Sequence, residues 1–468
     1  MPTVVPHLSR EERVAKGKEA RRRLPRERHA EWDGAQRQLQ PLDLLAEQAT
    51  TRVPQLVPIR YGRMAASPFA YYRGAALPMA ADLATLPNTG LRVQLCGDAH
   101  LSNFGGFASP ERALVFDVND FDETAPGPFE WDVKRLCASL EVAARGRGFD
   151  TRTARAITLA GARSYQTAMR NFAAMPSLEV WYAHLDVNGL IQRWGDIVDA
   201  RQMRAFRKAA KSATTKNEIK ARAKLTRSSP EGLRFRSDPP LLVPVRELWG
   251  ETQAEEAIDR IHDLVRSYRR TLQGNRRHLL ETYEYVDLAR KVVGVGSVGT
   301  RSWVALFVGR SDEDTLILQV KEAEASVLER FLGSSVYRNH GQRVVEGQQL
   351  MQAASDIFLG WQRVTEGVDG RPHDYYVRQL WDWKVSADVE VMVPGGLTIY
   401  AEMCGWTLAR AHARSGDPLI IATYIGASDV FPQALATFAS SYADQNEADH
   451  QALRRAIEDG TVPAETSF

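Results

Sequence analysis

Residues suited to phosphoryl chemistry lie in two segments nearly two hundred positions apart. In the first, Asp98 and Asn103 stand five apart, directly after an alternating stretch, Leu91–Leu95, that reads as a strand. A loop of that length lets a carboxylate reach a substrate hydroxyl while an amide oxygen turns toward a cation. Asp120 follows a second short strand, Leu114–Val118, with Asp117 and Asp122 as close competitors. Carboxylates crowded this way repel one another unless a cation joins them. Mg2+ suits such hard oxygen ligands and completes its octahedron with water and phosphate. Asp98 is therefore the candidate base, and Asn103, Asp120 and Asp122 are the candidate metal ligands.

The second segment holds Gly294, Gly296 and Gly299, then Arg301, the β-forming run Trp303–Val308, a turn at Gly309–Asp314, and Leu316–Val320 leading to Lys321. A dinucleotide-binding fold would open a helix at the last glycine, and a P-loop would need Gly-Lys-Ser/Thr; neither follows here. Strand, glycine loop, strand, turn, strand is the order that folds a hairpin over nucleotide phosphates. It marks Gly294, Gly296, Gly299, Arg301 and Lys321 as nucleotide-binding candidates. A lysine in this role needs an acidic brace for its flexible stem. Glu346 on the next helix is the expected brace, and Glu329 the alternative. Taken singly, the glycines suit an ordinary hairpin turn and Lys321 an exposed strand end.

The elements that must position these groups follow from periodicity. Residues 1–60 are polar and locally basic (Arg21–Arg23), as a solvated helical arm packing on the main body would be. Arg60, Arg63 and Arg73, set among glycine and aromatics, suit anchoring a loop or meeting a phosphate. Trp131–Ala144, Ile157–Ala173 and Ile258–Leu272 carry helical spacing. Between them Arg201–Arg227 is basic, with Arg207, Lys208, Lys211, Lys216, Lys220 and Lys224, as a solvated helix face or a docking surface for an acidic substrate. Ser237–Pro240 marks a turn or linker. Over 286–400, valines and aromatics alternate around one helix-like stretch, Arg343–Leu359. Helical patterns return in Ala401–Arg414 and Phe431–Ala456.

The chain has 468 residues, 44% hydrophobic and 25% charged, which is ample for a large core. A net charge of +2 gives no global sign of a nucleic-acid or membrane partner. Cys96, Cys137 and Cys404 lack metal-ligand spacing and fit a reducing, cytoplasmic setting. No uninterrupted apolar run is long enough for a bilayer.

Cys96–Asn103 (Cys-Gly-Asp-Ala-His-Leu-Ser-Asn) resembles the His-Gly-Asp-x-His-x-x-Asn loop of the aminoglycoside and choline phosphotransferase branch of the protein-kinase-like superfamily. Asp120–Asp132 is similar to that branch's metal-binding segment, with a second aspartate twelve positions later. The resemblance implies Asp98 as catalytic base, Asn103 and Asp120 as metal ligands, and Asp132 as a structural anchor. The region of Gly294–Lys321 resembles the kinase small lobe, and Ala401–Arg414 the helix that normally precedes the catalytic loop. Here the order is permuted, Cys96 replaces the loop's first histidine, and Arg301 stands where kinases carry valine. Across nearly its whole length the chain also resembles the bacterial family called domain of unknown function 2252, notably in Arg63–Gly74, His340–Gly347 and Tyr442–Gln445.

The resulting expectation is an α+β, bilobal, circularly permuted protein-kinase-like fold, with a mainly antiparallel small-lobe sheet and a large helical lobe. Its parts would be an N-terminal arm (1–90), the catalytic and metal-binding segment (91–150), further helices (151–285), the small lobe (286–400) and C-terminal helices (401–468). The expected activity is ATP- and Mg2+-dependent phosphoryl transfer to an unidentified small-molecule or protein hydroxyl, through Asp98, Lys321 and Glu346, with adenine near Gln379–Trp381. AMP transfer by the same site and a nucleotide-binding scaffold without turnover are the alternatives. A metallophosphoesterase would leave the glycines and Lys321 unexplained.

Overall fold

A computed structural model describes residues 7–186, 189, 218–230, 232–250, 261, 263–292, 294–367, 369–380 and 383–465. Helix α1 (Arg10–Arg23) begins with a capping box in which Ser9 and Glu12 satisfy each other's backbone N–H groups. It packs on a C-terminal helix, Pro418–Ile425, with Arg21 donating to the carbonyls of Thr423 and Tyr424. Helices α2 (Val57–Ala65) and α3 (Pro68–Gly74) follow. The arm thus packs on the body as its composition suggests.

Two short strands, β1 (Arg92–Leu95) and β2 (Phe104–Ala108), flank the Asp98 loop, and β3 (Leu114–Val118) pairs antiparallel with β2. Strand β4 (Ala125–Pro128) returns beside β1. Helix α4 (Glu130–Gly146) is buried along nearly all its length, including Val133, Leu136, Cys137 and Leu140. Against it lie α5 (Thr151–Ala174), whose first turn is capped by Asp150, and the C-terminal helices. These form the main apolar core.

The other large element is a six-stranded antiparallel sheet. In chain order its strands are β5 (Leu242–Pro244), β6 (Glu284–Lys291), β7 (Ser302–Val308), β8 (Thr315–Ala323), β9 (Gly360–Val364) and β10 (His373–Gln379), with α6 (His340–Met351) between β8 and β9. Their spatial order is β9-β10-β8-β7-β6-β5. Val304, Leu306 and Ile317 pack on one face with Leu233 and Phe235; Ala305, Phe307 and Leu318 pack on the other with Tyr268 and Phe358. Burial on both faces explains why β7 and β8 read as near-continuous apolar runs.

The C-terminal helices are α7 (Pro394–Ser415), α8 (Pro418–Ile425) and α9 (Val430–Glu458), close to expectation. Two expectations need correction. The span 151–285 is not simply helical: Thr226–Ser229 and Gly232–Phe235 form a hairpin, and β5 joins the sheet edge. Leu233 and Phe235 alternate into the core, and the Phe235 N–H donates to Asp287, so strand geometry prevails there. Helix α6 also stops at Met351 rather than Leu359, because Gln352 is extended and the Ala353 N–H is taken by Asp117.

Of the basic stretch, Arg207, Lys208, Lys211 and Lys216 lie outside the described residues, as do Ile258 and Trp381; Lys220 and Lys224 fall on a helix, Glu218–Leu225. The three cysteines are buried and unpaired. Among the described residues no single helix is long and apolar enough to cross a membrane.

Candidate functional site

The Asp98 loop is held from below. Both carboxylate oxygens of Asp132, in the first turn of α4, accept backbone N–H bonds, from Cys96 at 2.8 Å and Gly97 at 3.0 Å. Gly97 has φ +86°, and a Cβ there would lie 2.1 Å from the Glu123 carbonyl oxygen, so only glycine fits. Asn103 donates through Nδ2 to the Asp98 carbonyl at 2.9 Å, which leaves the oxygen end of its amide to meet a cation.

The Asp98 carboxylate takes an ion pair at 2.7 Å from Arg135, one turn along α4 from Asp132, and His100 Nε2 lies 3.6 Å from its other oxygen. Arg135 itself stacks over the Tyr72 ring at 3.9 Å. Burial raises the Asp98 carboxyl above its ordinary value, and Arg135 opposes that rise.

The three neighbouring aspartates separate cleanly. Asp117 is buried, paired with Arg410 of α7 and bonded by the Ala353 N–H, so it serves the core. Asp122 accepts from Lys321 Nζ at 2.6 Å, from the Tyr376 hydroxyl at 2.6 Å and from Ser297 Oγ at 3.3 Å. Burial alone would raise its carboxyl, but Lys321 and Tyr376 hold it down to about 2. Asp120 lies 3.8 Å from Lys321 with its side chain 27% exposed. Burial and the Asp122 charge raise its carboxyl. Among the described residues its carboxylate accepts one hydrogen bond, from the Asp122 N–H at 3.3 Å, so of the three it keeps the most oxygen free for a cation.

Lys321 lies two residues before the end of β8, opposite Tyr376 of β10, and is 2% exposed. Glu346 does not brace it. Helix α6 lines the cleft with Gln348 and Gln352, and Glu346 stands roughly 200° round the helix from Gln348. Glu329 instead pairs with Arg343, which donates to the carbonyls of Asp122 and Thr124. Asp122 and Asp120 therefore replace both glutamates as the lysine's partners.

The glycine segment, residues 294–300, is an irregular turn between β6 and β7. The N-terminal arm clasps it: Arg63 donates to the Gly294 carbonyl at 2.7 Å, Arg52 to that of Val298, and the Val53 N–H to that of Gly299 at 2.7 Å. Arg63 is thus a loop anchor. Arg301 is drawn away, its guanidinium bound by Glu322 and Asp369, and it does not line the cleft.

One cavity of about 880 Å³ gathers Asp98, Asn103, Asp120, Asp122, Gly294, Gly296 and Lys321, with Gln379 on its wall. Arg135 and Tyr376 went unnoticed in the sequence. A usable signal existed for the first, since Glu130, Asp132, Lys134 and Arg135 are charged residues inside an otherwise core-like helix.

A family model described as "Uncharacterized protein conserved in bacteria (DUF2252)" matches residues 52–456. The chain belongs to that family. The matched region runs from the arginines that clasp the glycine turn to the last turns of α9, so it takes in every residue of the cavity lining except Glu47, Gln48, Thr50 and Thr51. No curated protein and no solved structure matches the chain.

Proposed function

We propose that this cleft transfers the terminal phosphoryl group of ATP, with Mg2+, to a hydroxyl of an unidentified small-molecule or protein acceptor, on a circularly permuted kinase-like scaffold. The observation that carries the reading is the meeting of Lys321 with Asp122 and Asp120, 2.6 and 3.8 Å away, in the cavity that also holds Asp98, Asn103 and the glycine turn. The succession β6, glycine turn, β7, turn, β8, α6 supports the small-lobe comparison.

The donor set fits magnesium. Among the described residues no group of three or more His, Cys, Asp or Glu side chains is poised around a metal. Magnesium seldom uses such all-protein cages and is held by one or two carboxylates with substrate phosphates. Asp120 and the Asn103 amide oxygen would hold it. Bound there, it would neutralise charge on the phosphate oxygens.

Asp98 would accept the acceptor's hydroxyl proton as the hydroxyl oxygen bonds to the γ-phosphorus. The bond from that phosphorus to the β–γ bridging oxygen breaks, and ADP leaves. Lys321 would meet α- and β-phosphate oxygens, and the glycine turn would cover them with backbone. Positioning and charge stabilisation supply such catalysis, with little covalent work for the protein.

The test is a thermal-shift titration with ATP and Mg2+ on wild type, Asp120→Ala and Lys321→Ala, since a ligand that binds the native state raises its stability. The wild type should gain stability and both variants should lose that gain. In cell extract, label from γ-phosphate should reach an acceptor and fail to do so with Asp98→Asn. Label arriving from the α-phosphate would mark AMP transfer instead. Binding without any transfer would mark a scaffold.

A further inference from the structure

Guanidinium groups that the proposed transfer does not use line the same cavity. Arg60, on α2, is 1% exposed; its Nη2 donates to Gln48 at 2.9 Å and to the Gly74 carbonyl at 3.1 Å. Its Nε and Nη1 are buried without a partner. Arg73, in the last turn of α3, is half-buried with an unpartnered Nε, and among the described residues its side chain joins no ion pair. Among the described residues no acidic side chain of the lining forms an ion pair with Arg60 or Arg73, and four of them pair with other cations: Asp98 with Arg135, Asp122 with Lys321, Glu322 with Arg301, Glu47 with Arg330.

A buried charge is costly unless it is paired. A planar guanidinium with free N–H groups matches carboxylate and phosphate oxygens two at a time. An anion entering the cavity would supply the partner that Arg60 and Arg73 lack among the described side chains. Its place is also defined. The Arg73 carbonyl oxygen lies 3.1 Å from where a Gly296 Cβ would stand, and Arg73's charge is felt by both Asp98 and His100. The subsite thus adjoins the glycine turn and the proposed base.

We propose that the acceptor carries a carboxylate or phosphate group beside its reactive hydroxyl, and that Arg73, backed by Arg60, holds that group while Asp98 meets the hydroxyl. This rests on the phosphotransferase reading. The competing anion is the nucleotide's own phosphate chain.

Thermal-shift titrations of the full-length protein with inorganic phosphate, and separately with malonate, test the subsite on wild type, Arg73→Ala, Arg73→Lys and Lys321→Ala. Calorimetric titration with Mg2+ and ATP on the same proteins separates the competing anion. At least one anion should saturably stabilise the wild type and Lys321→Ala, with affinity at least tenfold weaker in Arg73→Ala and partly restored in Arg73→Lys. Mg·ATP affinity of Arg73→Ala should stay within threefold of wild type. A response to phosphate alone assigns a phosphorylated acceptor, and one to malonate alone a carboxylic acceptor. The proposal is overturned if wild type answers neither anion, or if Arg73→Ala loses Mg·ATP binding tenfold. Should wild type bind the anions through Arg73 yet never bind Mg·ATP, the phosphotransferase reading fails and the anion subsite stands. Unliganded melting temperatures show whether each variant is folded.

Discussion

Lys321 Nζ donates to Asp122 Oδ2 at 2.6 Å across 199 positions of sequence. This one bond ties the sheet to the segment between β3 and β4, and it explains why Asp122 and Asp120 tolerate each other. The ammonium is nearly fully buried, yet the two carboxylates are 29% and 27% exposed toward the cleft. The pair is thus rigid on the protein side and accessible on the other, which suits a binding site better than a purely structural bridge.

Replacing the lysine tests that balance. Lys321→Met should cost about 2 kcal/mol at pH 7, less than a fully buried broken pair because water reaches both carboxylates. The Asp122 carboxyl sits at about 2, below its ordinary 3.8, so its stabilisation is complete above about pH 4 and fades as pH falls through 2. The deficit of the variant should therefore be largest above pH 4 and shrink below it. Urea unfolding at a series of pH values reads this directly.

Asp132 offers a second test, away from any ligand. Asp132→Ala strands the buried N–H groups of Cys96 and Gly97, and the loss should be about 3 kcal/mol. Asp132→Asn keeps one acceptor oxygen and should lose about half as much. Both should impair nucleotide-dependent labelling more than Mg·ATP binding, because the Asp98 loop shifts while Lys321 and Asp120 stay. Denaturation curves paired with calorimetric titration check both parts.

The sequence carried the strands flanking the Asp98 loop, the β6–β8 pattern and the α7 and α9 helices, because each has a strong local period. It also brought Asp98, Asn103, Asp120, Asp122, Lys321, Gly294 and Gly296 into consideration, and these share one cavity. Glu346 failed because a helix position does not reveal which face turns to the cleft. Arg301 failed because its partners, Glu322 and Asp369, are brought close only by the fold. Arg60 and Arg73 were readable as arginines near aromatics, but their lack of counter-anions is a tertiary fact. Thr226–Phe235 was missed because a short hairpin between helices offers few residues from which to read a period of two.

The glycines should not behave alike. Gly97→Ala forces a Cβ to within 2.1 Å of the Glu123 carbonyl oxygen at a φ of +86°, so the backbone must move. A loss of about 3 kcal/mol is expected, from a left-handed strain of about 1–2 kcal/mol plus the clash. Gly294→Ala has φ +67° and open space, so only the strain of about 1 kcal/mol applies. Equal losses in thermal unfolding would contradict this account of the Asp98 loop.

Glu123 gives the clearest pH signature. It lines the cleft, and burial pushes its carboxyl up to about 7 from an ordinary 4.5, against the opposing Val327 N–H bond and Arg343 charge. A carboxyl raised on folding favours the folded state when protonated, so that contribution is present below pH 4.5 and is lost as pH rises through 7. Glu123→Gln can keep the Val327 N–H bond, 2.7 Å long in the wild type, while removing the charge. It should match wild type at pH 4.5, gain stability between pH 4.5 and 7, and level off above that at about 3 kcal/mol. Melting temperatures of the two proteins from pH 4 to 8 should diverge in that direction; a variant less stable than wild type at pH 8 would show that Glu123 is charged and well solvated in the fold.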